Sequence, residues 1–298
     1  MMRHFIEIDD LSPAELERVL ELSSASASPT LLAGKGVALI FEKPSARTRN
    51  SMEMAVVQLG GHPVYIGNEE VGLDRRESTE DITRVMAGFH AAIGARVYSH
   101  SVVERMAAVD QVPVVNLLSD RGHPMQVLAD LLTMYQEFGA LEGRSVAYLG
   151  DANNMAFSLA LGAGLVGMEF RIASPVGYEF DDADLARINT VGEPQVFDSP
   201  IAAVKGADAV YTDAWTSMGQ EDEAEKRTRD FEGFQVDEKL MESAASTAIF
   251  LHCLPAHRGE EVTDAVLDGP SSRIWPQAAN RMHAARGLLV WLLGEANR

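Results

Sequence analysis

The sequence predicts an α/β protein with two doubly wound domains, each built on a central parallel sheet and joined by bridging helices. Short apolar runs such as 36–41 (GVALIF) and 145–150 (SVAYLG) alternate with segments of helical periodicity along the chain. Strands that alternate with helices imply parallel sheets with right-handed crossovers. The chain has 298 residues, of which 46% are hydrophobic, so it is long enough for two domains with cores of their own.

Strand and helix signals follow one another closely in the first half. Strands are predicted at 36–41, 64–67, 91–99 and 112–118. Helices are predicted from Pro13 to about Leu22, from the residues after Ser45 to Gly60, at 79–89 and from Pro124 to Gly139. Caps, first-turn prolines and closing glycines mark their ends. The polar segment 68–79 has little apolar content and is predicted to be an exposed loop.

The second half repeats the alternation, with strands predicted at 145–150, 169–174, 195–197, 207–213 and 248–255. Helices are predicted at 155–166, at 182–188, after Ser199 and Pro200, at 237–245 and at 281–293. We therefore expect a first domain over 1–132, a second over 133–280, and a C-terminal helix in 281–298 that packs back on the first domain. The helix 124–138 would bridge the two sheets.

The segment after the first strand, FEKPSARTR, leads into a helix whose first turn is suited to an anion. Ser45 is a good N-cap, and the free amides near Ala46, Arg47 and Thr48 then lie at the positive end of the helix dipole. Arg47 and Arg49 add fixed positive charge. A phosphate site is one interpretation, and a capped helix with solvated arginines is the other.

Polar clusters follow five of the predicted strands. They are SART after 36–41, HPMQ after 112–118, DANN after 145–150, DAWTSMGQE after 208–212 and HCLP after 248–251. Ligands of open parallel sheets bind beyond the carboxyl ends of the strands, so we expect these clusters to face one crevice. Five clusters in the same topological position indicate a functional site.

The composition argues against several function classes. A formal net charge of −19 disfavours nucleic acid and anionic membranes as partners, because a polyanion would be repelled. Cys253 is the single cysteine, so no internal disulfide can form, which suits a reducing cytosol. The N-terminus does not resemble a signal peptide, and no apolar run reaches the length of a membrane span. We therefore expect a soluble cytoplasmic protein.

Motifs of several other enzyme classes are absent from the sequence. The segment LGDANN, which follows the strand at 145–150, lacks the GxGxxG dinucleotide fingerprint, and the sequence contains no Walker phosphate loop and no GxSxG nucleophile elbow. His252, Cys253 and His257 do not predict a zinc site, because neighbouring strand residues point in opposite directions and no second cysteine or carboxylate lies at ligand spacing. We expect neither a metal nor an organic cofactor.

Four motifs together resemble the transcarbamylases, and most closely the ornithine carbamoyltransferase branch. They are SARTR at 45–49, HPMQ at 123–126, the DxxxSMGQE pattern at 213–221 and HCLP at 252–255. The similarity extends from FEKPSARTR to NRMHAARGLLVWLL near the C-terminus. The resemblance implies transfer of a carbamoyl group from carbamoyl phosphate to the side-chain amine of L-ornithine, which yields L-citrulline and phosphate for arginine biosynthesis.

The resemblance also implies a set of carbamoyl phosphate-binding residues in the first domain and on the last helix. They would be Ser45, Ala46, Arg47, Thr48, Arg96, His123, Gln126 and Arg281. The helix N-terminus and Arg96 would hold the phosphate, and His123 would donate to the carbonyl oxygen as an oxyanion forms. Arg47 and His123 would be catalytic.

A second set of residues, in the second domain, would bind ornithine. They would be Asn154, Asp213, Ser217, Met218 through its backbone, Cys253 and Leu254. Asp213 would neutralise the α-ammonium group, and Cys253 with the Leu254 carbonyl would line the place where the side-chain amine attacks. Asp213 and Cys253 complete the implied catalytic set.

The chain departs from the family pattern at three places. Ala46 stands where the family usually has Thr, and Met125 stands where Cys or Thr is common. The segment 68–79 lacks the Gln and Lys that many relatives carry in a loop reaching into a neighbouring subunit, and Arg75 or Arg76 would substitute. The family implies a homotrimer or a multiple of trimers. Two alternatives stay open: a carbamoyltransferase for another amine such as putrescine, and a noncatalytic carbamoyl phosphate-binding protein.

Overall fold

The protein consists of two compact units, here in a computed structural model that describes residues 2–25, 30–216 and 221–297. Unit 1 comprises Met1–Leu132 with Ala279–Arg298, and unit 2 comprises Thr133–Ala278. Two helices are continuous across this division, α6 (Pro124–Phe138) and α13 (Ile274–Trp291). The predicted fold class, two α/β domains joined by bridging helices, is confirmed.

Unit 1 is built on a four-stranded parallel sheet. Its strands are β1 (Gly36–Phe41), β2 (His62–Gly67), β3 (His90–Arg96) and β4 (Val114–Leu118), in the spatial order β2-β1-β3-β4. β1 is buried over nearly its whole length, as expected for a strand covered by helices on both faces. In the ladder Phe41 pairs with Arg96, and Arg96 pairs with Leu118, so the loops after β1, β3 and β4 leave the same edge.

Unit 2 is built on a five-stranded parallel sheet. Its strands are β5 (Ser145–Leu149), β6 (Glu169–Ala173), β7 (Gln195–Val196), β8 (Ala209–Thr212) and β9 (Ile249–His252), in the order β7-β6-β5-β8-β9. Leu149 pairs with Thr212, and Thr212 pairs with His252. The segments that follow β5, β8 and β9 therefore start side by side at one edge, next to the switch point between β5 and β8 where such sheets bind ligands.

The remaining helices connect these strands. In unit 1 they are α1 (Pro13–Ser24), α2 (Ala46–Gln58), α3 (Asn68–Val71), α4 (Thr79–Phe89) and α5 (His100–Ala108). In unit 2 they are α7 (Asn154–Leu165), α8 (Asp182–Ile188), α9 (Pro200–Val204), α10 (Ala224–Asp230), α11 (Glu238–Met241) and α12 (Asp264–Leu267). Short 3₁₀ helices occupy Ile8–Asp10 and Glu221–Glu223, and a π-helical turn spans Leu292–Ala296.

The last helix differs from its predicted bounds. It begins at Ile274 rather than Arg281, because Pro276 lies in the first turn, where the missing N–H removes no hydrogen bond. It packs on α1 within unit 1, where Arg286 donates to the carbonyls of Ser23 and Ala25 at 2.8 and 2.7 Å. These bonds satisfy carbonyls at the end of α1 that have no partner within that helix.

Two other predicted segments also differ. The helix expected at 237–245 is the single turn Glu238–Met241, because the amide of Ala245 turns to the Ala207 carbonyl and closes a connection to β8. The segment 68–79 is not wholly a loop, since it opens with α3. Arg105 then holds Asp74 at 2.8 Å, so the turn after α3 is anchored to α5.

None of the helices in the described part of the chain combines the length and the hydropathy that crossing a bilayer requires.

Candidate active site

The first turn of α2 carries the predicted anion site. The N-cap predicted at Ser45 is confirmed: its Oγ accepts a hydrogen bond from the Thr48 amide at 3.3 Å. The Ser45 hydroxyl then donates to Thr48 Oγ1 at 3.1 Å. Ala46 is the first helical residue. The first-turn amides therefore lie where the helix dipole favours a negative charge.

Thr48 joins this turn to two distant arginines. Its Oγ1 accepts from Arg281 Nη2 at 2.8 Å and, more weakly, from Arg96 Nη1 at 3.4 Å. Arg96 comes from the end of β3 and Arg281 from α13, and each is 5% exposed. Because Thr48 Oγ1 is the acceptor in these contacts, its own hydrogen is left to donate to a ligand.

The electrostatics around Arg96 favour an anionic ligand. Burial, followed by the positive charges of Arg281 and Arg47, lowers the pKa of Arg96 to about 10. Its Nε is buried and has no hydrogen-bond partner among the described residues. Neighbouring guanidinium groups repel one another, and a dianion placed between them removes that cost. A local positive site thus exists in a chain whose formal net charge is −19.

His123 lies beside these cations at the start of α6. Its carbonyl accepts the first helical bond, from the Gln126 amide at 3.0 Å, so it holds the N-cap position that the sequence predicts. The pKa of His123 is well below its usual value, chiefly because the ring is buried and further because Arg281, Arg96, Lys43 and Arg47 are positive. The imidazole is therefore neutral at pH 7 and carries one N–H for donation to a ligand.

Gln126 offers an acceptor in the same first turn. It is 1% exposed, and its Nε2 donates to Asp130 Oδ1 at 2.8 Å. Its Oε1 is buried without a hydrogen-bond partner among the described residues. An oriented amide oxygen of this kind matches an N–H donor of a ligand such as a carbamoyl NH₂ group.

Two basic residues of FEKPSARTR differ from the sequence expectation. Arg49 does not face the anion site, because it pairs with Glu53 at 2.8 Å and stacks 3.9 Å above the centre of the Tyr65 ring. Lys43 was not predicted as a residue of the site, although its position between the end of β1 and the N-cap of α2 could have indicated that it lies there. Its ammonium lies 5.1 Å above the Tyr98 ring, and burial followed by the charge of Arg96 lowers its pKa.

Unit 2 brings Asp213 and Cys253 together at the adjacent ends of β8 and β9. The Cys253 thiol donates to Asp213 Oδ1 at 2.8 Å, and the Ala214 amide donates to the same oxygen at 2.8 Å. The second oxygen, Oδ2, accepts from Asn153 Nδ2 at 3.2 Å. The parallel register makes this possible, because Thr212 and His252, which precede the pair, are ladder partners.

The HCLP segment is held from behind by a buried histidine–carboxylate hydrogen bond that the sequence did not indicate. His252 Nε2 lies 3.0 Å from Glu261 Oε1, and both side chains are fully buried. His252 Nδ1 accepts from the Leu254 amide at 2.9 Å, so the ring proton is on Nε2 and points to Glu261. Leu254 has a φ of 60°, uncommon for a bulky residue and the kind of strain found at ligand sites.

The remaining acceptor residues of the prediction are distributed differently. Asn154 is the first residue of α7 and is half-buried, whereas Asn153 is the N-cap that contacts Asp213. Ser217 and Met218 lie outside the described residues. Asn153 is not among the predicted site residues, and its contact with Asp213, 60 positions away, could not be found from local pattern.

The expectation that no carboxylate lies near His252 and Cys253 at metal-ligand spacing is wrong in three dimensions. Ligand atoms of Asp213, His252 and Cys253 all lie within 4.8 Å of one another, because strand pairing brings Asp213 beside HCLP. Both His252 nitrogens are nevertheless engaged, by Leu254 and by Glu261. The trio therefore fits a hydrogen-bonded thiol–carboxylate pair better than a metal centre, which needs a free imidazole nitrogen.

Comparison with known proteins follows the same division of the chain. Residues 3–136 match the family model described as aspartate/ornithine carbamoyltransferase, carbamoyl-P binding domain. Residues 142–292 match the one described as the Asp/Orn binding domain of the same family. Together these matches span most of both units.

Individual relatives agree over the full length. An ornithine carbamoyltransferase of Acidothermus cellulolyticus is 46% identical, covering 99% of this chain and 98% of its own. The solved ornithine carbamoyltransferase of Pyrococcus furiosus superposes with a TM-score of 0.93 at 42% identity, covering 98% and 97%. That of Thermus thermophilus gives 0.90 at 44%, covering 98% and 99%. The chain belongs to the aspartate/ornithine carbamoyltransferase family.

Proposed function

We propose that the protein transfers the carbamoyl group of carbamoyl phosphate to the side-chain amine of L-ornithine and releases L-citrulline and phosphate. The observation that carries the proposal is the convergence of buried Arg96 and Arg281 on Thr48, in the capped first turn of α2. Such a site is suited to the phosphate group of an acyl phosphate, and the neighbouring His123 is suited to donate to the acyl carbonyl oxygen.

The phosphate of the donor binds at α2. The first-turn amides and the Thr48 hydroxyl donate to its oxygens, and Ser45 caps this turn and holds Thr48. Arg47, Arg96 and Arg281 balance the charge of the phosphate. Mutual repulsion among the cations is relieved when the dianion binds, so the empty site is less stable electrostatically than the filled one. Binding energy from the phosphate then fixes the carbamoyl group.

The carbamoyl group binds at the start of α6. Neutral His123 donates to the carbonyl oxygen, and this bond strengthens as the carbonyl becomes an oxyanion in the tetrahedral intermediate. Gln126 Oε1, which has no hydrogen-bond partner in the described part of the chain, accepts from the carbamoyl NH₂. The surrounding cations stabilise the oxyanion and also keep His123 neutral, so that it acts by hydrogen bonding without transferring its proton.

The acceptor binds at unit 2. Asp213 neutralises the α-ammonium group, with Asn154, Ser217 and Met218 completing the site for the amino-acid head. Cys253 and the Leu254 carbonyl line the position of the side-chain amine. That amine has a free pKa near 10.4, so it must lose a proton before it attacks the carbonyl carbon. Attack forms the C–N bond and the tetrahedral oxyanion. Collapse of this intermediate restores the C=O bond and breaks the C–O bond to phosphate, which leaves with the bonding electrons and takes up the extra proton of the nitrogen.

The biological setting is proposed from the family. We propose a cytoplasmic homotrimer, or a multiple of trimers, that serves arginine biosynthesis, with the segment 68–79 of one copy reaching a neighbouring copy. Arg76 folds back to the Glu70 carbonyl at 3.1 Å, so Arg75, which is exposed, is the better candidate for that contact. Light scattering of the purified protein tests the assembly, and a monomeric mass contradicts it.

The test of the reaction is citrulline formation by the purified protein from carbamoyl phosphate and ornithine, beside parallel reactions with putrescine, lysine and aspartate. Turnover with ornithine well above the others is expected. Turnover with putrescine alone would keep the transfer chemistry and replace the acceptor. No product with any amine would reject the reaction and leave the noncatalytic binding alternative.

Two arginines of α2 give a matched pair of variants for the donor site. Arg47→Ala is expected to abolish turnover, because Arg47 adds charge at the phosphate. Arg49→Ala removes the same charge at a position two residues further along the helix. The Arg49 side chain contacts Glu53 and Tyr65 and not the anion site, so this variant should keep turnover within about threefold of wild type. Equal losses in the two variants, or Arg47→Ala activity within about tenfold of wild type, would contradict the phosphate assignment.

A further inference from the structure

The carboxylate of Asp213 is held in place by an amide that has no role in the proposed reaction. Asn153 Oδ1 accepts from the Met155 and Ala156 amides at 2.9 and 3.2 Å. The Tyr148 hydroxyl also donates to Oδ1, at 3.4 Å. Backbone amides are donors only, so these contacts fix which end of the Asn153 amide is oxygen. Its Nδ2 must therefore point at Asp213 Oδ2, 3.2 Å away.

Tyr148 is suited to hold this orientation. It is fully buried at β5, and its ring stacks on Tyr211 with centroids 5.7 Å apart. Burial and the nearby charge of Asp213 raise the pKa of Tyr148 well above its usual value, so the hydroxyl remains a donor at all working pH values. A buried donor that lost its acceptor would pay a desolvation cost. The Tyr148 hydroxyl therefore resists any rotation of the Asn153 amide.

The contacts that the described residues make with Asp213 leave one acceptor position of its carboxylate for a ligand. A carboxylate has about four acceptor positions. Among the described residues three are taken, by Asn153 on Oδ2 and by Ala214 and Cys253 on Oδ1. The Asn153 bond opposes rotation of the carboxylate about its own axis.

We propose that Asn153 is a positioning residue of the acceptor site: its amide locks the Asp213 carboxylate so that one oxygen takes the Cys253 thiol while the other is aimed at a substrate ammonium group. The claim that Asp213 faces a substrate ammonium group rests on the proposed function. The claim that Asn153 holds Asp213 against the Cys253 thiol does not. Asn153 combines two tasks, because one amide end caps α7 and the other holds Asp213.

The variant that separates these tasks is Asn153→Ser. Serine is as good an N-cap as asparagine, so α7 keeps its first-turn acceptor, but its hydroxyl is too short to hold Asp213. Asp181→Ser is the matched control, since Asp181 caps α8 by accepting from the Asp184 amide at 2.8 Å and makes the same type of cap exchange within unit 2.

The first readout is alkylation of Cys253 by iodoacetamide, which reports on one site because the chain has a single cysteine. In the wild type the Cys253 thiol donates to Asp213, and the titratable side chains of Tyr148 and His252 also lie near it. Release of the carboxylate should speed alkylation of Asn153→Ser at pH 8 by about threefold or more. Asp181→Ser should match the wild type.

The second readout is steady-state kinetics. Asn153→Ser should raise KM for ornithine by about tenfold or more, the loss expected for a misaligned charge-assisted contact. KM for carbamoyl phosphate should change less than about threefold, because the donor site lies in other elements. A general loss of structure would move both values together and would lower the melting temperature.

An alkylation rate of Asn153→Ser within about 1.5-fold of wild type overturns the proposal, whatever the kinetics show. If the wild-type protein does not turn over ornithine, the proposed function fails while alkylation still decides the role of Asn153. If Asn153→Ser does not fold, Tyr148→Phe replaces it: it keeps the stacked ring, removes the hydroxyl, and should shift alkylation in the same direction.

Discussion

Replacing Arg96 by methionine should stabilise the empty protein and abolish donor binding. Arg96 is 5% exposed, and its Nε has no hydrogen-bond partner among the described residues. Methionine keeps an unbranched apolar stem of similar length and removes the charge. The two effects have opposite signs because the buried charge that binds a dianion lowers the stability of the protein when no ligand is bound.

The size of the stabilisation follows from the pKa. Burial, together with Arg281 and Arg47, lowers the pKa of Arg96 from its usual value to about 10, which corresponds to about 3 kcal/mol of unfavourable free energy in the charged folded state. Loss of the 3.4 Å contact with Thr48 and imperfect packing of methionine reduce this stabilisation by about 1 kcal/mol. We expect Arg96→Met to raise the free energy of unfolding by about 1 to 3 kcal/mol.

The pH dependence of this gain has a definite sign. Below pH 10 Arg96 is protonated in both the folded and the unfolded chain, so the difference between variant and wild type is constant. Above about pH 10 the folded wild type releases the proton before the unfolded chain does. The unfolded state then binds more protons, wild-type stability rises with pH, and the advantage of Arg96→Met shrinks.

The assay is urea unfolding at 25 °C, with and without saturating carbamoyl phosphate. Ligand at 100 times its dissociation constant should add about 2.7 kcal/mol to the wild type and almost nothing to Arg96→Met. Arg105→Met is the matched control, because Arg105 is paired with Asp74 and Glu80 at 2.8 and 2.6 Å and its loss should not stabilise. An Arg96→Met protein that is less stable than wild type, or that retains the ligand effect, would refute the reasoning.

Two further predictions concern unit 1. The pKa of His123 lies well below 6.5, mainly through burial, so below pH 6.5 the unfolded chain gains a proton that the folded one does not, and stability falls. His123→Gln should make the acid limb of stability against pH shallower by up to about 1.4 kcal/mol per pH unit, and an unchanged slope in urea titrations would contradict the shift. A Cβ at Gly287 would lie 2.6 Å from the Ser23 nitrogen, so Gly287→Ala should lower stability by about 1 to 3 kcal/mol. Gly88→Ala in α4, with no atom within 4 Å of the added carbon, should raise it by about 0.5 to 1 kcal/mol; equal melting temperatures for the two variants would count against the packing argument.

Local pattern predicted those elements whose ends carry their own signals. β1 and α4 have the predicted bounds, Gly36–Phe41 and Thr79–Phe89. The ends of β1 are marked by the ends of an apolar run, and those of α4 by the ends of a capped amphipathic segment. α5 escaped prediction, and α13 starts earlier than predicted. α5 has no side-chain cap to mark its start, and Pro276 allows α13 to begin before the segment with helical periodicity.

The sequence by itself determined the α/β class, the capped turn at Ser45 and the polar residues that follow each strand, since these depend on neighbours a few positions apart. Only the tertiary structure decided which of those residues meet. Arg281 reaches Thr48 across 233 positions, and Cys253 reaches Asp213 across 40. Arg49 turns aside to Tyr65. Contacts of this kind are set by strand register and helix packing, where the free energy of burial and charge is gained by pairs far apart in the chain.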